Sequence, residues 1–113
     1  TAYVSKYAMV GYGTFIGAFA NVGANVNVGN HCIVNTAANI EHEVCMGDFC
    51  QLGPGSVICG RSSVSSNVFI GAGCKVIEKL FISSGAIIGA GTLVIESITE
   101  TNAKYIGTPA RKI

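Results

Sequence analysis

The sequence predicts an all-β, single-stranded parallel solenoid of triangular coils, and three observations carry that prediction. An aliphatic residue or methionine recurs at every sixth position from Val4 to Val94, sixteen times without a break. Four residues after each comes a second column, in which fourteen of sixteen residues are Ala, Cys, Ser, Thr or Val. The residue directly after the aliphatic is glycine in eight of the sixteen repeats. Neither the helical period of about 3.6 nor the strand period of 2 gives one large and one small inward residue every six positions. A short strand closed by a tight turn does. Three such units complete a triangle: the large residue fills the interior, the small one lets the wall bend, and glycine is expected to relieve a turn of unusual φ.

Sixteen repeats at three per coil give a little over five coils. Stacked at the parallel-sheet spacing of about 4.8 Å, they predict a prism roughly 25 Å tall. Residues eighteen apart then lie above one another, and each coil buries its inward face only against its neighbours. At 113 residues there is room for one domain. Residues 1–99 are assigned to the coils, and 100–113 to a C-terminal tail that packs on the last coil or extends it. One stretch strains the pattern. Leu80 takes a small position and Phe81 follows it, so a widened corner or a bulge is expected there.

Half the residues are hydrophobic and only 12% are charged. So few charges leave much apolar surface facing water, which burial between subunits would resolve. The net charge of +1 gives no reason to expect nucleic acid or an anionic membrane. No apolar run approaches the roughly 20 residues of a membrane span, and no secretory signal pattern is present. Five cysteines without a CxxC pair favour neither a zinc knuckle nor a disulfide framework. They fit a reducing cytoplasm. The frame sends Cys32, Cys50 and Cys74 inward as compact core residues and turns Cys45 and Cys59 outward. Cys32 and Cys50 should stack, which makes a disulfide conceivable, although a plain core role is favoured.

The chain has two histidines. His31 occupies the fourth position of its repeat, a corner place, and reads as a solvated surface residue. His42 stands between Glu41 and Glu43, two of only six acids. A carboxylate beside an imidazole favours one tautomer and raises ring basicity, as a general base for a hydroxyl or amine requires. On the residues alone, a surface histidine between two solubilising glutamates remains the favoured account.

The ladder resembles that of the left-handed β-helix acyltransferases built from hexapeptide repeats, and the left hand is assigned from that resemblance. Asn35-Thr36 through Glu41-His42-Glu43, then Gly47-Asp48-Phe49, Leu52-Gly53-Pro54-Gly55 and Gly60, are similar to one subgroup. It holds the sialic acid O-acetyltransferase-like and UDP-4-amino-sugar N-acetyltransferase enzymes. The ending Ile106-Gly107-Thr108-Pro109-Ala110-Arg111 is similar to the Gly-x-Pro-Ala tail of the same superfamily.

The resemblance implies an acetyl-CoA-dependent acetyltransferase acting directly on an amino or hydroxyl group of a sugar or nucleotide sugar, with no metal. It implies His42 as catalytic base, Glu43 as its supporting acid and Asn35 as a polar residue lining the site. Gln51 stands where the subgroup often has a second histidine; it can hold acetyl-CoA by a hydrogen bond but cannot carry a proton. Ala72 and Ala90, eighteen apart, match backbone contacts to the pantetheine arm. Lys104, Arg111 and Lys112 could meet the phosphates of coenzyme A. The resemblance also implies a homotrimer with sites between neighbouring prisms, and an N-terminal α/β domain that these residues do not include. Two other readings stand beside it: a non-catalytic trimeric scaffold, and a γ-type carbonic anhydrase. The second is disfavoured because two histidines per chain fit three zinc ligands poorly.

Overall fold

The computed structural model describes all 113 residues as one continuous coil without helices. Sixteen two-residue strands recur every six residues, from β1 (Tyr3–Val4) and β2 (Met9–Val10) to β15 (Ile87–Ile88) and β16 (Leu93–Val94). Strand βn therefore occupies residues 6n−3 and 6n−2. Every third strand shares a parallel sheet. Side A runs β1-β4-β7-β10-β13-β16, side B runs β2-β5-β8-β11-β14, and side C begins β3-β6-β9-β12-β15. The register is eighteen throughout these sides, as in Val22↔Ile40, Ile58↔Val76 and Ile70↔Ile88. The architecture is a left-handed parallel β-helix.

Both inward columns are where the period places them. From the second coil onward the aliphatic column is buried, with Ile40, Leu52, Ile58, Ile70, Ile82 and Ile88 fully enclosed. Each such side chain contributes about 1.5–3 kcal/mol when removed from water. The small column lies beside it. Cys32, Cys50 and Cys74 are free thiols, each at most 1% exposed, and each donates to a carbonyl fifteen residues on. Those carbonyls belong to Gly47, Ser65 and Gly89, at 3.1, 3.0 and 2.8 Å. Thr14 and Ser62 make the same bond to Gly29 and Ile77 at 2.7 and 2.9 Å. The column is small because the wall bends there, and often polar because a carbonyl is presented to it. No buried side-chain nitrogen or oxygen lacks a partner.

Gly13, Gly55, Gly73, Gly85 and Gly91 stand at turn positions with φ of 68 to 73°, as expected, but the glycines after the aliphatic serve a different purpose. Left-handed backbone falls at the fourth position of the repeat, where nine non-glycine residues adopt it, including His31, Glu43, Phe49 and Arg61 at φ of 55 to 62°. Each costs roughly 1 kcal/mol relative to glycine. The corner amide is satisfied by the previous coil, as where Glu43 N donates to Ala24 O at 3.0 Å. The glycine after the aliphatic is there for space. A methyl group on Gly53 would lie 2.5 Å from the amide nitrogen of Ala72, and on Gly71 2.6 Å from that of Ala90.

The expected bulge at residues 76–81 is absent. β14 (Phe81–Ile82) pairs in register with β11 (Ser63–Val64), and Lys79 makes an ordinary corner at φ 60°. Leu80 is half-buried against the core, and its amide donates to Ser62 Oγ at 3.2 Å. The serine beneath it is small, so the larger residue fits without a break.

The step changes after residue 94. Ile98 bridges Ile82, sixteen residues back, and β17 (Lys104–Ile106) pairs in parallel with β15 at a separation of seventeen. β18 (Arg111–Lys112) then turns back antiparallel on β17. These two strands extend side C, and the molecule measures 37 × 22 × 21 Å, longer than the rung spacing alone predicts.

Candidate active site

His42 and Glu43 fill the third and fourth positions of their repeat and so form the corner between sides A and B. The neighbouring level supplies Gly60 and Arg61, each eighteen residues on. His42 Nδ1 lies 3.0 Å from Glu43 Oε1, and Arg61 Nε forms an ion pair with the same oxygen at 3.2 Å. The His42 hydrogen bond, followed by the Arg61 charge, holds the Glu43 carboxyl below its usual range. An ionised carboxylate can only accept, so in the neutral ring Nδ1 carries the proton and Nε2 keeps its lone pair. The ring leans along the prism axis onto the next level, where Nε2 lies over Gly60. A methyl group there would sit 2.6 Å from Nε2 and 2.7 Å from Cε1. With the His42 side chain 51% exposed, a reactant can reach it.

The other predicted residues lie elsewhere on the prism. Asn35 begins the corner between sides C and A, and its Oδ1 accepts from Thr36 N at 2.8 Å. Gln51 faces outward from side C, in register between Ile33 and Phe69. Ala72 and Ala90 stack on the corner between C and A, where Gly91 N donates to Ala72 O at 2.8 Å. From Thr36-Ala37 through Pro54-Gly55 and Ala72-Gly73 to Ala90-Gly91, this corner bears no charge and no long side chain. A shallow depression of about 170 Å³ adjoins its upper end, lined by Gly73, Lys75, Gly91, Thr92, Leu93 and Thr108. Within one chain, side A separates this ledge from His42. No hydrogen bond links Asn35 or Gln51 to His42.

Sequence reasoning missed the roles of Gly60 and Arg61, although stacking at eighteen pointed to both. It also left His31 as a plain surface residue. That ring is exposed but packed, edge-on to Tyr12 at 5.2 Å and stacked on Phe49 at 5.3 Å. In the tail, Lys112 is held by Glu100, with Nζ 2.6 Å from Oε1. Cys59 precedes Gly60 and is half-buried. Burial, then Glu41 and Glu78, push its thiol up, so at neutral pH it is a protonated, weak nucleophile. No three His, Cys, Asp or Glu side chains converge as metal ligands, and no helix is long and apolar enough to cross a membrane.

No family profile matches the chain, and no curated protein does. Solved structures do. GDP-perosamine N-acetyltransferase from Caulobacter crescentus, in a variant bound to CoA and GDP-perosamine, is 32% identical with a TM-score of 0.96. It matches over 98% of this chain and 52% of that one. The acetyltransferase domain of PglB from Neisseria gonorrhoeae, in complex with acetyl coenzyme A, is 29% identical. It has a TM-score of 0.96 over 98% of this chain and 54% of that one. WeeI from Acinetobacter baumannii shares the fold at 23% identity and a TM-score of 0.76, over 97% of this chain and 57% of that one. The chain spans about half the length of the structures it matches.

Proposed function

The chain belongs to the hexapeptide-repeat superfamily of left-handed β-helices, and from that premise we propose that it is an acetyl-CoA-dependent acetyltransferase. Its acceptor is an amino or hydroxyl group of a sugar or nucleotide sugar. The observation that carries this reading is the His42–Glu43 pair, whose carboxylate fixes the Nδ1–H tautomer and leaves Nε2 free on an accessible corner.

His42 Nε2 takes the proton from the acceptor as its nitrogen or oxygen attacks the thioester carbonyl. The new C–N or C–O bond forms, the C–S bond breaks, and coenzyme A leaves as the thiolate, which takes up the proton. Glu43 stabilises the imidazolium that exists between these proton transfers. Transfer is direct, since no cysteine is hydrogen-bonded to His42 for activation as a nucleophile. The uncharged ledge by Ala72 and Ala90 suits an extended pantetheine arm contacting main chain, Gln51 offers it a hydrogen bond, and Asn35 lines the acceptor side. Ledge and base occupy different corners of one prism, so the complete site lies between neighbouring copies in a homotrimer. Five free thiols fit a cytoplasmic setting.

The test is thiol release from acetyl-CoA against a panel of amino sugars and nucleotide sugars. His42→Ala is expected to lower turnover by about 10²–10⁴-fold, the usual range for a general base. Unchanged turnover in that variant overturns the assignment. A monomer by sedimentation overturns the shared site.

A further inference from the structure

We propose that Arg61 is a positioning residue for His42, acting through Glu43; the inference rests on the base assignment above. Two contacts tie this arginine to the pair, and its neighbour Gly60 makes a third. Its guanidinium Nε, as an ion pair, and the His42 ring, as a hydrogen bond, meet at one carboxylate oxygen, at 3.2 and 3.0 Å. Its backbone amide donates to the carbonyl of His42 itself at 3.0 Å, tying the two levels together at this corner. The glycine before it gives the imidazole its seat.

A glutamate on an exposed corner has several rotamers, and only some present Oε1 to Nδ1. Arg61 anchors that oxygen from the level above and removes the alternatives. Stability does not account for the arginine. Its side chain is 54% exposed, where an ion pair adds little to folding, and its backbone is left-handed at φ 62°. The same repeat position holds Asn25, Gly55, Asn67 and Gly73, residue types that accept this conformation more readily. Phe19, His31, Phe49 and Lys79 share that position as well, so the backbone alone does not choose the residue. The contact to Glu43 requires a long donor.

The experiment compares Arg61→Asn, Arg61→Met and Arg61→Lys in the full chain, alone and combined with Glu43→Gln. Arg61→Asn is expected to leave the melting temperature unchanged or raised, because asparagine relieves the backbone. Turnover is expected to fall roughly tenfold in Arg61→Asn and Arg61→Met, comparable to losing an outer partner of a metal-bound histidine. KM for acetyl-CoA should stay within about twofold, and Arg61→Lys should recover part of the loss because it keeps the charge. In the Glu43→Gln background the arginine change should cost almost nothing, since the two act as a unit.

A readout independent of activity is the ¹⁵N spectrum of the His42 ring. The preference for the Nδ1–H tautomer should weaken in Arg61→Met. An unchanged tautomer ratio, or costs that simply add in the double variant, overturns the proposal. If the wild-type chain turns over no acceptor, the function reading fails, while the ring spectrum still decides the role of Arg61.

Discussion

Gly60→Ala tests the site with a single methyl group. Gly60 does not need its conformational freedom, because its φ is not in the left-handed region where alanine is strained. What it lacks is room. The added methyl would lie 2.6 Å from His42 Nε2, and ordinary contact begins near 3.4 Å, so the ring must retreat by about 0.8 Å. The ring is a movable side chain on an open corner, and the backbone can stay where it is. Stability should change by less than about 0.5 kcal/mol, as for surface substitutions generally. Catalysis is less forgiving: a displacement of about 1 Å from the reacting geometry can cost roughly 10²-fold. The expected result is therefore turnover lowered by about 10²-fold in thiol release, with an unchanged urea midpoint. A Gly60→Ala protein with wild-type turnover would refute the placement of Nε2 as the reacting atom. A loss of turnover matched by a loss of folded protein would refute the claim that only the ring moves.

Two further outcomes follow from the same geometry. Gly71→Ala and Gly73→Ala sit two residues apart and separate space from backbone conformation. The first drives a methyl to 2.6 Å from the Ala90 amide nitrogen and should cost about 3 kcal/mol in urea unfolding; the second points into open space at φ +68° and should cost about 1 kcal/mol. Glu43 has a depressed folded-state pKa, so its contribution to stability is present above its ordinary value of 4.5 and is lost as pH falls through the lower folded value. The difference in melting temperature between wild type and Glu43→Gln should accordingly be present at neutral pH and disappear in acid, below the lowered folded value; a difference that persists there would contradict the contact.

The fold was legible because its physics is local and repeated. One inward aliphatic and one inward small residue per six positions predict a triangular coil, though not its hand, and the same frame buries Cys32, Cys50 and Cys74 while turning His42 outward. Two readings failed for the same reason. Glycine after the aliphatic looked like a turn residue, and Leu80-Phe81 looked like a bulge, because each residue was read for the way it points and not against the residue eighteen positions away that it packs on. Gly53 answers to Ala72, and Leu80 fits because Ser62 lies beneath it. The candidate site was half legible. His42 and Glu43 are adjacent in the chain, whereas Arg61 stands eighteen residues on from Glu43, where the period sets its level and side-chain torsions set the contact. Asn35 and Gln51 are close to His42 in number, but seven to nine residues of this coil carry the chain around a corner onto a different side.

A stack of identical parallel rungs is an open template, since its last rung presents the same unpaired groups that recruited it. Filaments grow in this way, each added segment becoming the seed for the next. The change of step at Ile98 and Lys104, and the reversal of strand direction at Arg111–Lys112, end that sequence of copies on side C. An incoming hexad meets an antiparallel strand bearing two cations, out of phase with its own period. The tail acts as a stop codon written in backbone geometry, limiting on that side how far the ladder can be read.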